Sequence, residues 1–402
     1  MYKSTKIKDD IVWIGVNDRK IEKWESHIPL DFGVTYNSYV ILDEKICIID
    51  GVEEGENGDF FRKLEATIGD RQVDYIIINH VEPDHSGSIK SLLKIYPNIK
   101  VVGNAKSISI LKLLDIDIPN DRAVVVKEKD VLDLGKHKLT FYLMPMVHWP
   151  ESMATYDTTD KILFSNDAFG SFGALDGAIF NDEANLNIFE NEMRRYYSNI
   201  VGKLGAPVNA ILKKLSSVEI SCICPSHGLI WRKDIDKVIK KYQKWANIEA
   251  EEEGVVIIYG SMYGHTTEMA EILARQLDER GIKNVQIYDS SKFDISYLFS
   301  AIWKYKGLMI GTCTHYNMAF PKIEPLLQKL ENYGLKNRYL GIFGNMLWSG
   351  GGVKRVKEFA DRLTGLEQIG EPVEVKGHVT PIDREKLIEL ANLMADKLIA
   401  DR

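Results

Sequence analysis

Cysteine is scarce in this sequence. The 402 residues include four cysteines, Cys47, Cys222, Cys224 and Cys313, and no two of them have the C-x-x-C spacing. A zinc ribbon or a rubredoxin module is therefore excluded from these residues, because both bind metal through closely paired cysteines. We expect the four residues to be buried thiols rather than disulfides.

Long apolar runs and an excess of basic residues are absent as well. No segment approaches the ~20 apolar residues of a membrane span, and the first ten residues, MYKSTKIKDD, lack the apolar core of a signal peptide. The net charge of -7 at pH 7 argues against nucleic acid or a membrane surface as a partner. The sequence predicts a cytoplasmic protein with neither partner.

The composition is that of a soluble globular protein, with 45% hydrophobic and 27% charged residues. A chain of this length usually forms two or three domains. An acidic run, Glu249–Glu253, followed by Gly254, separates a helical pattern from the apolar segment Val255–Tyr259. We predict two domains, comprising residues 1–249 and 254–402.

Hydrophobic periodicity differs between the two predicted domains. Up to about residue 145, short apolar runs alternate with turns, which predicts a sheet domain with covering helices. After Gly254, near-continuous apolar strands such as Gly307–Gly311 and Tyr339–Phe343 alternate with helical segments such as Thr267–Arg280. This pattern is typical of a parallel sheet covered on both faces, that is, a doubly wound α/β domain.

The densest chemical motif is IIINHVEPDHSGS. The predicted strand Tyr75–Asn79 leads directly into His80, Glu82, Asp84 and His85. A turn at the end of a strand can bring such side chains together. Two histidines interleaved with two carboxylates favour a metal site over a solvated polar loop.

Three further potential ligands follow apolar segments. His148 follows Leu139–Val147, which we predict to be a strand, and Asp167 and His227 follow two other strands. Each residue alone could be a hydrogen-bonded structural residue. With the first turn they form a set large enough for two metal ions, and residue type alone leaves zinc and iron both open.

The second domain begins with a loop of small and hydroxyl residues between a strand and a helix. Its residues are Ser261, Met262, Tyr263, Gly264, His265 and Thr266. Backbone N–H groups at the helix N-terminus and the hydroxyls can bind a phosphate. The lysine of the nucleotide-triphosphatase P-loop is absent, which disfavours ATP and GTP, and an ordinary helix cap is the alternative interpretation.

Two later strands of this domain also end in candidate binding loops. The first loop contains Thr314, His315, Tyr316 and Asn317, and the second contains Leu347, Trp348, Ser349, Gly350 and Gly351. Aromatic rings can stack on a flavin, and glycines allow close approach to its polar edge. In doubly wound sheets, ligands bind beyond the carboxyl ends of the strands, where these loops are expected.

The order H-x-[HE]-x-D-H followed by His, Asp and His resembles the metallo-β-lactamase-like superfamily. Its hydrolases usually have histidine at the position of Glu82, whereas NHVEPDHSGS resembles the corresponding segment of flavodiiron proteins. The three loops after residue 254 resemble those of flavodoxins. The resemblance implies a two-domain α/β protein with an N-terminal metallo-β-lactamase-like αββα sandwich and a C-terminal flavodoxin-like doubly wound parallel sheet.

The resemblance also implies two non-haem irons and an FMN. One iron would be bound by His80, Glu82 and His148 and the other by Asp84, His85 and His227, with Asp167 bridging; FMN would occupy the three loops. His27, His137 and His378 lie outside the ligand set and are expected to be surface or hydrogen-bonded residues. The resemblance leaves open an approach of His27, and of Tyr196 or Tyr197, to the iron pocket.

The activity implied by the resemblance is reduction of O2 to water, of NO to N2O, or of both. Electrons would come from a rubredoxin-like donor or reduced F420, and the chain would form a head-to-tail homodimer or a dimer of dimers. Two alternatives stay open at this point. They are a zinc hydrolase carrying a flavodoxin-like module, and an electron carrier whose metal is only structural.

Overall fold

Residues 4–401 are described by a computed structural model, in which the chain divides into two units. The first unit contains the described residues up to Tyr197 together with residues 206–243. The second contains residues 198–205 and the described residues from Lys244 onward. The domain limits 1–249 and 254–402 remain a prediction.

The first unit is built from short strands and helices. The strands are β1 Thr5–Lys6, β2 Ile11–Trp13, β3 Val16–Asp18, β4 Lys23–Trp24, β5 Ile28–Pro29, β6 Val34–Tyr36, β7 Tyr39–Leu42, β8 Ile46–Ile49, β9 Tyr75–Ile77, β10 Lys100–Gly103, β11 Ala123–Val125, β12 Val131–Asp133, β13 Lys138–Leu143, β14 Met153–Asp157, β15 Ile162–Asn166 and β16 Cys222–Pro225. The helices are α1 Asn57–Ile68, α2 Pro83–Ser86, α3 Ile89–Ile95, α4 Ala105–Leu113, α5 Leu186–Tyr196, α6 Gly205–Leu215 and α7 Ile235–Ala246, of which α6 and α7 extend into residues of the second unit. The 3-10 turn Glu54–Glu56 precedes α1. The π-helical turn Tyr197–Val201 and the 3-10 turn Gly202–Leu204 follow α5 and lie, apart from Tyr197, in the second unit.

Two sheets pack face to face in this unit. One has the order β1-β2-β7-β8-β9-β10-β11 and the other β12-β13-β14-β15-β16. Their inner faces share one apolar core, in which Ile41 and Ile77 of the first sheet join Leu139, Phe141 and Phe164 of the second. The predicted sandwich of sheets with covering helices is confirmed. The two sheets pack together because each has an apolar face that must be buried.

Parallel pairing places several strand ends at one edge of this sandwich. Strands β8, β9 and β10 are parallel neighbours, as are β15 and β16. The His80 turn follows β9, while Asp167 and His227 follow β15 and β16. Parallel pairing of these strands therefore explains how the segments around His80, Asp167 and His227, which are distant in sequence, come to lie at the same edge.

One predicted strand is shorter than its apolar sequence suggests. Strand β13 ends at Leu143, where it pairs with Met153, so the prediction of a strand through Val147 is wrong. Pro145 cannot donate a ladder hydrogen bond. The segment instead forms a loop, closed by a hydrogen bond from Met144 N to Ser152 O of 2.8 Å, which carries His148.

The second unit alternates strands with helices. Its elements are β17 Glu252–Gly260, α8 His265–Glu279, β18 Val285–Asp289, α9 Ile295–Lys304, β19 Tyr305–Cys313, α10 Ile323–Asn332, β20 Arg338–Met346, α11 Gly352–Arg362, β21 Leu366–Gln368, β22 Val373–Lys376 and α12 Pro381–Ala400. The sheet order is β18-β17-β19-β20-β21, with β22 also beside β20, and every pair is parallel.

Both faces of this sheet are buried. Alternate residues of β17, such as Val255 and Ile257, pack in one core with α8 and α12. The residues between them, Val256 and Ile258, are also fully buried and point to the opposite face. The predicted doubly wound parallel sheet is confirmed, and its strand order reverses at β17, between β18 and β19, which is where ligands bind in such sheets.

The four cysteines are free and buried, as predicted. Among residues 4–401, no helix is both long and apolar enough to cross a membrane.

Candidate metal centre and cofactor pocket

The turn after β9 gathers four of the predicted ligands. Asn79 donates to the buried Asp50 carboxylate from its backbone N at 2.7 Å and from its side-chain Nδ2 at 2.9 Å, which fixes the chain just before His80. Glu82 precedes α2, whose first residue is Pro83, and Pro is well suited to that position. This one-turn helix carries Asp84 and His85, and both residues are buried.

The first group of ligands consists of His80, Glu82, His148 and Asp167. Glu82 Oε2 lies 3.2 Å from Nε2 of both His80 and His148. Asp167 Oδ2 lies 3.5 Å from His80 Nε2 and 3.1 Å from His148 Nε2. Two imidazoles and two carboxylates therefore point at one small volume.

The second group consists of Asp84, His85 and His227. Asp84 Oδ2 lies 3.3 Å from His85 Nε2 and 3.2 Å from His227 Nε2. The other oxygen of Asp167, Oδ1, lies 3.1 Å and 3.2 Å from the same two nitrogens. Asp167 thus presents one oxygen to each group, so all seven residues predicted from the sequence are brought together.

These donor atoms fit metal ions better than they fit one another. Nε2 of His85, His148 and His227 and both carboxylate oxygens of Asp84 and Asp167 are buried and make no hydrogen bond of acceptable geometry. Buried polar atoms without partners are rare and costly. Two ligand atoms that share one metal ion at about 2.1 Å lie about 3.0–3.4 Å apart, close to the separations found in both groups.

The field of the carboxylates favours positive charge at this site. Burial lowers the pKa of His227, but the nearby Asp167 and Asp84 carboxylates outweigh this effect and raise the pKa to about 10. The pKa of His148 is raised to about 9 in the same way by Asp167 and Glu82. Burial alone would raise the pKa of Asp167, yet the surrounding histidines hold it well below its usual value. The same field would stabilise metal cations, which bind in place of the protons.

Two groups that orient the ligands were not found from the sequence. Buried Glu151 accepts a hydrogen bond from His80 Nδ1 at 2.7 Å and one from Val81 N at 3.1 Å. His227 Nδ1 donates to the Thr35 carbonyl at 2.6 Å. Such contacts hold the ring so that Nε2 faces the metal. No spacing rule connects Glu151 to His80, 71 residues earlier.

Two aromatic side chains, Trp24 and Tyr196, lie beside His227 at one side of the centre. The Trp24 ring centroid lies 5.0 Å and the Tyr196 centroid 5.8 Å from that of His227. Tyr196 is fully buried, and its hydroxyl has no hydrogen-bond partner. Tyr197 instead packs against Tyr242, at 4.9 Å. Of the two tyrosines considered from the sequence, Tyr196 borders the site, and Trp24 was missed because nothing local marks it.

The remaining histidines lie outside both ligand groups. His27 is exposed, with its Nδ1 2.9 Å from the Glu25 carbonyl. His378 is exposed, and His137 is fully buried and hydrogen-bonded to Asp157. These positions agree with the expectation of surface or hydrogen-bonded residues, and an approach of His27 to the iron pocket stays a prediction.

The loop after β17 has the features of an anion site. Gly264 adopts φ 91°, which favours glycine, and its N–H donates to Ser261 Oγ at 3.1 Å. Helix α8 then starts at His265 without a side-chain cap, so its first N–H groups point outward. Thr266 Oγ1 is buried and has no hydrogen-bond partner, which is a second indication of a ligand at this loop.

The three predicted loops converge on one pocket of about 530 Å³. Its lining includes all the predicted residues except Gly264, Gly350 and Gly351, and adds Cys313, Asn345 and Met346. Prediction from the sequence missed these last three residues. Their positions at the ends of strands β19 and β20 could have identified them as pocket residues. No carboxylate, lysine or arginine lines the pocket.

Gly351 allows two of these loops to meet. A Cβ at this position would lie 2.3 Å from the Asn317 carbonyl oxygen, and its φ of 151° also disfavours other residues. Ser349 Oγ reinforces the contact by donating to Asn317 Oδ1 at 3.0 Å. The rings of Tyr316 and Trp348 are 89% and 85% exposed, so their faces are free to stack on a planar ligand.

Comparisons with known proteins match both parts of the chain. Residues 34–228 match the family model described as ODP family beta lactamase, and residues 257–389 match the flavodoxin model. The anaerobic nitric oxide reductase flavorubredoxin of Vibrio vulnificus is 33% identical over 87% of this chain and 71% of its own length.

Solved structures agree over the whole chain. Rubredoxin oxygen:oxidoreductase from Desulfovibrio gigas is 30% identical, covers 99% of both chains and has a TM-score of 0.90. The flavodiiron protein from Giardia intestinalis is 26% identical, covers 100% of this chain and 98% of its own, and also has a TM-score of 0.90. The resemblance read from the sequence is confirmed: the chain belongs to the flavodiiron protein family and is an oxidoreductase.

Proposed function

We propose that this protein reduces NO to N2O, O2 to water, or both, at a diiron centre that FMN supplies with electrons. The observation that carries the proposal is the Asp167 carboxylate, which presents one oxygen to each of two ligand groups. The names of the relatives from V. vulnificus and D. gigas support NO and O2 as substrates. Zinc hydrolysis is less well supported, because it would leave the flavodoxin-like half without a role.

The seven metal ligands suit iron. They comprise four imidazoles and three carboxylates, and no thiolate that would select a softer metal. Glu82 adds negative charge where related hydrolases usually have histidine, and this charge favours a ferric ion. Two irons held by these ligands would bind the gas and transfer electrons to it. The protein holds the ligands in place through Glu151 and the Thr35 carbonyl.

The pocket of the second unit suits FMN. The N–H groups of the α8 N-terminus and the hydroxyls of Ser261 and Thr266 would bind the phosphate, and no carboxylate in the lining repels it. Tyr316 and Trp348 would stack on the ring. A flavin exchanges electrons singly or in pairs. It can therefore pass electrons from a one-electron donor to the reduction of NO, which takes two electrons per N2O, or to the reduction of O2 to water, which takes four electrons per O2.

Both reductions consume protons, so hydrogen-bond donors beside the centre matter. The Tyr196 hydroxyl is such a donor, since its ring borders His227 and the hydroxyl has no partner among the described residues. Burial raises the pKa of its hydroxyl well above the usual value, and the Asp167, Glu82 and Asp84 charges raise it further. The phenol therefore stays protonated near neutral pH. We propose that its hydroxyl would donate a hydrogen bond to a gas molecule held at this centre.

We propose a rubredoxin-like protein or reduced F420 as the electron donor. Rubredoxin appears in the name of the D. gigas relative, which supports the first of these. Family resemblance supports a head-to-tail homodimer or a dimer of dimers, in which the FMN of one subunit lies beside the irons of another. We further propose that the protein acts in the cytoplasm.

Metal analysis combined with gas consumption tests the function. We expect about two irons per chain, and rapid consumption of NO or O2 when the prereduced protein meets either gas. Zinc without gas consumption, together with ester or thioester hydrolysis, would establish the hydrolase alternative. Bound FMN with no effect of either gas would establish the electron-carrier alternative.

Glu151→Gln is expected to weaken iron binding at the His80 position about tenfold, because loss of an orienting carboxylate typically has an effect of this size. Competition with a chelator measures it, and FMN content should not change. Glu65→Gln, at an exposed position on α1, is the matched control. Equal iron retention in the two variants would refute the orienting role of Glu151.

Thr266→Val is expected to raise the FMN dissociation constant about tenfold, because a hydrogen bond to a charged group contributes roughly 1.5–3 kcal/mol. Flavin fluorescence in the FMN-depleted protein measures the constant. Thr267→Val is the control, since Thr267 does not line the pocket. Riboflavin lacks the phosphate and should bind all three proteins equally. An equal loss of riboflavin affinity in Thr266→Val would contradict a phosphate contact.

A further inference from the structure

A second cluster of histidine and carboxylates lies in the first unit, at the opposite end of β13 and β14 from the metal centre. His137 directly precedes β13, whereas His148 lies in the loop that follows that strand. Six residues of strand span about 20 Å. The cluster is therefore separate from the seven ligands described above.

The backbone around His137 is held in place. Gly135 has φ 123°, which allows the tight turn between β12 and β13. The Asp43 carboxylate then accepts hydrogen bonds from Lys136 N at 3.1 Å and from His137 N at 2.6 Å. As a result the His137 side chain, next to an exposed lysine, is itself fully buried.

Asp157 sets the orientation of the His137 ring. Its Oδ2 lies 3.0 Å from His137 Nδ1. The same carboxylate accepts N–H groups of Thr159 and Asp160, each at 3.1 Å, so it is fixed as an acceptor and Nδ1 is the donor. A carboxylate bound to one ring nitrogen, with the other nitrogen directed away, is the usual arrangement of a metal-binding histidine.

The other ring nitrogen faces two more carboxylates. His137 Nε2 and one oxygen each of Asp10 and Asp160 lie within 4.8 Å of one another. Nε2 is 3.1 Å from Asp10 Oδ2, but makes no hydrogen bond of acceptable geometry. Asp10 Oδ1 is also buried without a partner. This cluster therefore contains a buried nitrogen, His137 Nε2, and a buried oxygen, Asp10 Oδ1, that are both without a hydrogen-bond partner among residues 4–401.

We propose that His137, Asp10 and Asp160 form a third metal site, which binds a divalent cation of the zinc or cobalt type. One imidazole with two carboxylates, completed by water, suits these ions, whereas magnesium and calcium prefer oxygen ligands alone. Lys136 is exposed and pairs with Asp10 through Oδ2, which leaves Oδ1 for the metal.

The charge around the site favours a cation. Burial lowers the pKa of His137, but Asp157 and Asp10 outweigh it and raise the pKa to about 9. Without metal the ring carries a proton at neutral pH, and a metal ion replaces that proton.

The site would join the two sheets of the sandwich. Asp10 directly precedes β2 of the seven-stranded sheet, whereas His137 and Asp160 flank β13 and β14 of the five-stranded sheet. The role is therefore structural, and bound metal should stabilise the folded protein.

Cobalt binding tests the proposal on the protein with its iron and FMN in place. We expect the unaltered protein to bind one more Co²⁺ per chain than His137→Gln or Asp160→Asn, with at least a tenfold loss of Co²⁺ affinity in each variant. Co²⁺ should raise the melting temperature of the unaltered protein but not that of the variants. His378→Gln, at an exposed histidine outside the cluster, is the control and should behave like the unaltered protein.

Asp160→Asn keeps the bond between Asp157 and His137, so it decides the question even if His137→Gln fails to fold. Iron content must stay equal in all the proteins, which shows that the additional Co²⁺ is not bound at the main centre. No additional Co²⁺ in the unaltered protein, or equal Co²⁺ binding in Asp160→Asn, would overturn the proposal. His137 would then be a protonated ring paired with Asp10 and Asp157.

Discussion

The Asp167 carboxylate is the interaction on which the centre of this protein depends. Its two oxygens lie between two pairs of imidazoles, at 3.1–3.5 Å from four different ring nitrogens. Four buried histidines this close would repel one another if they were charged, and a buried carboxylate alone would be costly. Together, and with Glu82 and Asp84, they form a site whose charge balance is suited to two cations.

The fold supplies this arrangement through the ends of its strands. Three of the four ligand segments follow the carboxyl ends of β9, β15 and β16, and the fourth lies in the loop between β13 and β14. In the second unit, the loops after β17, β19 and β20 form the cofactor pocket in the same way. Reactive groups in both units thus lie on loops that a rigid sheet positions.

The sequence allowed prediction of what depends on local pattern. His80 and Asp167 were found because polar residues directly follow apolar strands, and Thr266 because it opens a helix after a glycine turn. Glu151, Trp24 and the cluster around His137 depend on contacts between distant segments, which spacing does not reveal. The length of β13 was overestimated because Pro145 ends a run of apolar residues that otherwise reads as a strand. Iron and FMN came from family resemblance, since the ligand types alone would also suit zinc.

Anomalous diffraction from crystals of the iron-loaded protein would show whether the Asp167 carboxylate serves two irons. Two iron positions are expected, each about 2.1 Å from a different oxygen of Asp167. One iron should be bound by His80, Glu82 and His148, and the other by Asp84, His85 and His227. A single iron position, or two that share no Asp167 carboxylate, would rule out the paired centre.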